Sequence, residues 1–212
     1  MKKLLFISLS ILIISFLASC KKNDDATPTK ATVSGRVLQL NSTIPVPNAT
    51  VYLYESIWSG GLGGGEFTIT KDTTITNSKG EYSFEYTQGK SSEFFVKAYA
   101  DDYDTDNNTR WTIENKNQVR DVIIAPYAWV KIRIINVPPV AISDFISVGG
   151  PWGSTEDFDR FGKCDTLITK RALGNQKISI AIFFLKNSKI YLDRRDSLYC
   201  KGLDTTFHTI TY

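Results

Sequence analysis

Three groups of residues have types and spacings that could do chemistry. In "DDYDTDNN", Asp101 to Asn108, the carboxylates of Asp102, Asp104 and Asp106 stand at alternate positions. That is how the first ligands of a calcium loop are spaced. Counted from Asp102, however, the sixth position is Asn107 instead of glycine, and the twelfth is Ile113 instead of an acid. The run therefore reads by default as a solvated acidic loop, with these three aspartates as the candidate calcium ligands and no metal expected. The second group centres on the single histidine, His208. A hydrolytic triad needs a histidine oriented by an acid and set beside a nucleophile. His208 falls in a strand-like segment and no GxSxG is present, so it reads as a strand histidine with an ordinary partner. The chain is expected not to be an enzyme and to need no cofactor. The third group is aromatic. Trp58 precedes the glycine-rich "SGGLGGGE", Trp129 lies on the polar face of its strand, and Trp152 and Phe158 stand in the turn-rich "GGPWGSTEDFDRFG". Exposed aromatic rings stack on sugars or anchor protein partners, so these four are the candidate ligand contacts. The alternatives are that loop aromatics fold back into a core and that Trp129 fills an interdomain contact.

The elements that must position these groups read as β. In "ATVYLYES", Ala49, Val51 and Leu53 alternate with Tyr52 and Tyr54. In "EYSFEY", Tyr82, Phe84 and Tyr86 share one face, and "NSKG" before them is a turn. Period two over short runs bounded by Gly, Pro and Asn predicts strands. Ala128, Val130, Ile132 and Ile134 face one way in the long segment "VRDVIIAPYAWVKIRIINV", opposite Trp129, Lys131 and Arg133. "AISDFISVGG", "DTLITKRAL", "KISIAIFFLK" and "TTFHTITY" predict further strands, and Ile178, Ile180, Ile182 and Phe184 form a clean apolar face. The glycine-rich segment Ser59 to Glu66 lacks a GK[ST] ending and a following helix, so it is not a phosphate cradle.

The order "SGRV … PVPNATVYLYE … ITNSKGEYSFEY … FFVKAYADDY" resembles the carboxypeptidase regulatory-like domain, a transthyretin-like β-sandwich. The resemblance covers about Thr32 to Tyr103. Two positions depart from it: Asn77 stands where the family usually has Asp, and Asp102 where Gly often precedes the aromatic. It implies a module with no catalytic residues of its own, which packs beside other domains or serves as a spacer.

The front of the chain carries an address. Met1-Lys2-Lys3 is followed by an apolar run from Leu4 to Leu17, then Ala18, Ser19 and Cys20. A run of this length is too short for a comfortable membrane span and has the layout of a secretory signal. "LASC" resembles the lipobox of bacterial lipoproteins. The resemblance implies cleavage before Cys20, lipidation of Cys20 and stable anchoring by its acyl chains. Lys21-Lys22-Asn23-Asp24-Asp25 is similar to the charged export signal of Bacteroidetes surface lipoproteins, which implies the outer face of the outer membrane; a plain solvated tether is the alternative. Removing residues 1–19 takes away two lysines and no acid, leaving 23 basic against 22 acidic residues. That balance gives nucleic-acid binding no electrostatic support. In an oxidising compartment the remaining Cys164 and Cys200 suggest one disulfide, with two buried free thiols as the alternative.

The expectation is an all-β chain of two β-sandwich domains, the first transthyretin- or Ig-like, behind a cleaved lipoprotein signal peptide. Residues 1–19 form the signal, 20–31 the lipidated cysteine and tether, 32–124 the regulatory-like sandwich and 125–212 a second sandwich. The strand around Val122 is close enough to the boundary to close the first domain. The expected role is a surface-anchored, noncatalytic binding or spacer module. Its partners would be the membrane through the anchor and a glycan or envelope protein, not nucleic acid. The alternative role is a fibre or adhesin subunit assembled by strand pairing.

Overall fold

The computed structural model describes residues 30–58, 65–87, 92–104, 111–114, 116–152, 156–187 and 189–212. The signal segment, Cys20, the tether up to residue 29 and Asp106 lie outside the described residues. The described chain is β throughout. In order, the strands are β1 (Lys30–Gln39), β2 (Thr50–Trp58), β3 (Glu66–Ile75), β4 (Glu81–Thr87), β5 (Ser92–Tyr99), β6 (Tyr103–Asp104), β7 (Trp111–Ile113) and β8 (Gln118–Val119). They continue with β9 (Val122–Ile135), β10 (Phe145–Gly149), β11 (Phe158–Phe161), β12 (Asp165–Leu173), β13 (Gln176–Lys186), β14 (Lys189–Cys200) and β15 (Thr205–Thr211).

One seven-stranded sheet runs through the molecule, and β9 is its spine. The first residues of β9 pair in parallel with the end of β1, Val37 opposite Val122 and Gln39 opposite Ile124. Its later residues pair antiparallel with β12 on one side and parallel with β15 on the other. Two four-stranded sheets pack against this long one, β3-β2-β5-β7 over the first half and β11-β10-β13-β14 over the second. The result is two β-sandwiches that share a strand.

Alternation explains the arrangement. Val122 and Ile124 enter the first core, with Val33, Val51, Leu53, Tyr82, Phe84, Tyr86 and Phe94. The same face of the same strand then feeds the second core with Ala128, Val130, Ile132 and Ile134, against Ile146, Val148, Ile178, Ile180 and Ile182. The two clusters divide inside β9, between Ile124 and Ala128. Pro126 sits at this crossing, where β9 changes partners, so its missing N–H leaves a smaller gap in the ladder than it would mid-sheet. Its carbonyl accepts from Gly174 N at 2.7 Å. Around the crossing, Gln39 Nε2 donates to the Tyr103 hydroxyl at 2.9 Å, and Asn175 Nδ2 donates to Gln39 Oε1 at 3.1 Å. Gly202 N donates to Asn175 Oδ1 at 2.8 Å. The strand around Val122 thus closes the first sandwich and opens the second.

Local chemistry fixes the turns. Asn77 Oδ1 accepts from Lys79 N and Glu81 N, and Gly80 adopts φ +74° beside it. Asn48 and Asp102 occupy the left-handed region with φ of 57° and 63°, as short polar side chains can.

Candidate functional site

The two candidate calcium aspartates that are described, Asp102 and Asp104, do not share a site. Asp102 is exposed in a turn, whereas Asp104 is buried and paired through β6 with Ala125. Among the described residues, no group of three or more metal-ligating side chains could hold a cation.

His208 lies on β15 with Asp196 of β14 at 2.7 Å. Both oxygens of Asp196 also accept from the Arg194 guanidinium, at 3.0 Å each. Burial works against ionisation of Asp196, but the hydrogen bonds from Arg194 and His208 outweigh it and hold the carboxyl below its ordinary range. With both oxygens held by Arg194, the carboxylate tethers an edge strand of one sheet to an edge strand of the other. The geometry is that of a clamp.

The expected disulfide is not formed. Cys164 and Cys200 are separate buried thiols. Cys164 O accepts from Asn136 N, just beyond the C-terminal end of β9, whereas Cys200 pairs with Gln176, close to where Leu203 N reaches Tyr127 O. The whole length of β12 separates the two positions, far beyond the Cα spacing of about 7 Å that a bridge allows. Burial pushes both thiols up from their ordinary range.

Of the four aromatic candidates, one is a core plug and another packs against the same core. Trp152 is 2% exposed and packs in the second core, where Phe158 is partly buried against the same cluster. "GGPW" therefore encodes a fold-back. The Trp152 ring lies so close over Gly150 that a Cβ there would come within 2.4 Å of it. Trp58 ends β2, and its side chain lies outside the described residues. Trp129 alone is shown at the surface, 45% exposed on the outer face of β9.

Register gives Trp129 its neighbours. On the outer face, Arg171 of β12 and Thr205 of β15 flank it. In the next row Thr169 and Phe207 flank Lys131, and in the row beyond, Leu167 and Thr209 flank Arg133. Phe207 is 70% exposed and Leu167 57%. The Arg171 guanidinium lies 4.1 Å over the Tyr127 ring, and Lys131 Nζ is 5.6 Å from the Phe207 centroid. Arg133 is engaged with Asp165 through two bonds of 3.2 and 3.3 Å. The outcome is an open three-stranded face of rings interleaved with cations. Arg171, Lys131 and Phe207 could not be attached to Trp129 by sequence alone, because only the register of β12 and β15 brings them together.

A second aromatic group covers the outer face of β2 and β5. Tyr52 and Tyr54 stack at 5.8 Å, Tyr54 stacks on Phe95 at 5.1 Å, and Tyr99 meets Tyr52 edge-on at 5.4 Å. Burial, then the hydrogen bond with Tyr99, pushes the Tyr54 hydroxyl up to about 12.

Sequence reasoning also missed a buried polar cluster at the far end of the second sandwich. Asp144 is fully buried. Its Oδ1 accepts from Asn187 N at 3.0 Å; its Oδ2 accepts from Ala141 N, Asn136 Nδ2 and Lys186 Nζ at 3.0, 3.1 and 3.1 Å. Lys186 also donates to Val137 O at 2.7 Å and to Asn136 Oδ1. The backbone bond from Ala141 leads the effects that hold the Asp144 carboxyl far below its usual range, against the opposing effect of burial. The ammonium has three acceptors and the carboxylate four donors, so both charges are matched within the protein. The separation of Asp144 from Lys186 in sequence hid this pairing.

No family model matches the chain, and no curated protein matches it. Solved structures similar to it include GBS52, the minor pilin of Streptococcus agalactiae, at 10% identity and TM-score 0.37, covering 86% of this chain and 94% of that one. The shaft pilin SpaA of Lactobacillus rhamnosus GG is similar at 8% identity and TM-score 0.33, covering 87% of this chain and 97% of that one. The Bacillus anthracis TIE protein is similar at 11% identity and TM-score 0.36, covering 86% of this chain. This chain spans about a third of that protein's length, 34%. At these values none of the likenesses bears on function.

Proposed function

We propose that the protein is a noncatalytic binding module, held at the outer membrane through lipidated Cys20 and exposed on the cell surface. The observation that supports this is the outer face of β12, β9 and β15. It leaves Trp129, Phe207 and Leu167 in solvent beside three cationic side chains, on a sheet whose other face is already packed. Rings kept exposed next to cations have no part in core packing and are suited to a ligand. A glycan laid across the sheet would meet the rings with its C–H faces and the cations with its oxygens. The test is a fluorescence titration of the protein and its Trp129→Ala variant against a panel of soluble polysaccharides. A saturable change for at least one polymer, weakened tenfold or more in the variant with an unchanged Tm, supports the module. Identical responses from the two proteins refute it.

A second reading, a fibre subunit built by strand pairing, draws on β3. This strand ends its sheet, pairs on one side only with β2, and leaves Phe67 and Ile75 exposed. The register shift opposite Leu53 and Tyr54 and the lysine at position 71 are features that blunt such edges. Sedimentation across a hundredfold range of concentration separates the readings: a constant monomer supports the binding module, and growing polymers support the fibre.

A further inference from the structure

From the chemistry of the Trp129 face we infer that its ligand is an acidic polysaccharide, a linear polymer of uronate type. This rests on the reading of that face as the binding surface. The first argument is shape. The face is the pleated surface of three neighbouring strands, and small ligands are held in concave sites that cover most of their surface. A flat face suits an extended chain that makes many shallow contacts along its length.

The second argument is charge. Lys131, Arg133 and Arg171 all project from this face, no acid stands among their row partners, and Asp165, one row beyond Arg133 opposite Ile135, is bound by Arg133. Lys131 and Arg171 therefore carry the surplus. Arg171 lies over Tyr127, so its guanidinium plane is held by the ring while its N–H edge stays available for a carboxylate. Lys131 offers a point charge one row on, beside Phe207.

The third argument is repetition. In one row Trp129 stands next to Arg171; in the next, Phe207 stands next to Lys131. Two residues of strand separate the rows, about 6.6 Å. A polymer whose successive sugars each present an apolar face and a carboxylate would meet the same pair of groups at each row. Single-stranded nucleic acid also combines rings with anions, but it is bound in basic grooves that track many phosphates. The near balance of 23 basic against 22 acidic residues beyond the signal segment favours the polysaccharide.

The test uses polygalacturonate as the probe and the same polymer with its carboxyls methyl-esterified as the matched neutral control. Binding to the intact protein is followed by tryptophan fluorescence. The expected result is saturable binding of polygalacturonate that weakens at least tenfold on esterification and falls steeply between 50 and 500 mM salt. Arg171→Gln and Lys131→Gln should each weaken binding about fivefold to tenfold, and Arg133→Gln less, because Arg133 is already paired. All three side chains are on the surface, so an unchanged Tm checks the fold, and Arg171→Lys should fall between wild type and Arg171→Gln. If the esterified polymer binds as tightly, the acidic class is overturned and the binding module stands. Tighter binding of an oligothymidylate also overturns the acidic polysaccharide. If neither polymer binds and other glycans give no response sensitive to Trp129→Ala, both readings fall together.

Discussion

The two sandwiches use aromatic residues on their outer faces in opposite ways. Over the first, Tyr52, Tyr54, Phe95 and Tyr99 touch one another in a continuous ladder, with Phe95 buried and the tyrosines half-buried. Over the second, Tyr127 and Phe207 meet cations, and Trp129 and Phe207 stand in solvent. Ring-on-ring contact consumes aromatic surface and adds stability, each pair contributing about 0.5–1.5 kcal/mol beyond its burial. Rings spaced by charges keep their surface and contribute little. The first face is thus part of the fold, and the second leaves its rings in solvent.

Four measurements can break or sharpen that contrast. The largest effect belongs to Tyr54→Ala, which removes two ring contacts and should destabilise the protein by about 2 kcal/mol in denaturant titration, with polymer binding unchanged. A Tyr54→Ala protein of wild-type stability would put the ladder on the same footing as the Trp129 face. Next comes acid. Asp144 and Asp196 both lie in the second sandwich and both have depressed pKa values in the folded state. Such groups stabilise fully above the unfolded carboxylate pKa of about 4, and the stabilisation is lost as pH falls through their lower folded values. Stability followed by circular dichroism should therefore drop below about pH 4. Asp196→Asn should start lower at pH 7 and fall less steeply; an identical slope would remove Asp196 from the acid limb. Smaller still, Trp129→Ala should shift stability by no more than about 0.5 kcal/mol. A larger loss would mean the ring supports the fold. The smallest effect is that of a reductant. With Cys164 and Cys200 apart, dithiothreitol should leave Tm unchanged, and thiol titration of the denatured chain should find both cysteines reactive without it.

The sequence made one part of this visible and concealed another, for physical reasons. Alternation in "ATVYLYES", "EYSFEY" and "VRDVIIAPYAWVKIRIINV" placed the core faces correctly, because one side of each strand is buried and the pleat has period two. It also put Trp129 on the outside. β14 escaped notice because its central "DRRDS" is a polar run at a sheet edge, and β11 because "FDRF" is four residues inside an acidic turn. Trp152 stayed open between ligand contact and core plug because a glycine-rich neighbourhood suits both an open loop and a ring folded over bare backbone. The platform around Trp129 was half legible: β9 supplied Lys131 and Arg133, but Arg171 and Phe207 come from strands whose partners depend on topology. The disulfide expectation failed for the same reason, since compartment and count say nothing about which end of a strand each cysteine occupies.

The shared strand has a mechanical consequence. β1, β9 and β15 all run in one direction, so Lys30 and Tyr212 lie at opposite poles, joined by some twenty residues of strand, about 65 Å. A load drawn between those poles acts along the strands and shears the β1–β9 and β9–β15 ladders, so that their hydrogen bonds must yield together instead of peeling apart one at a time. A chain gripped ahead of Lys30 and pulled through a polymer lying on β12, β9 and β15 would transmit that force along β9, with no linker between the sandwiches to stretch first.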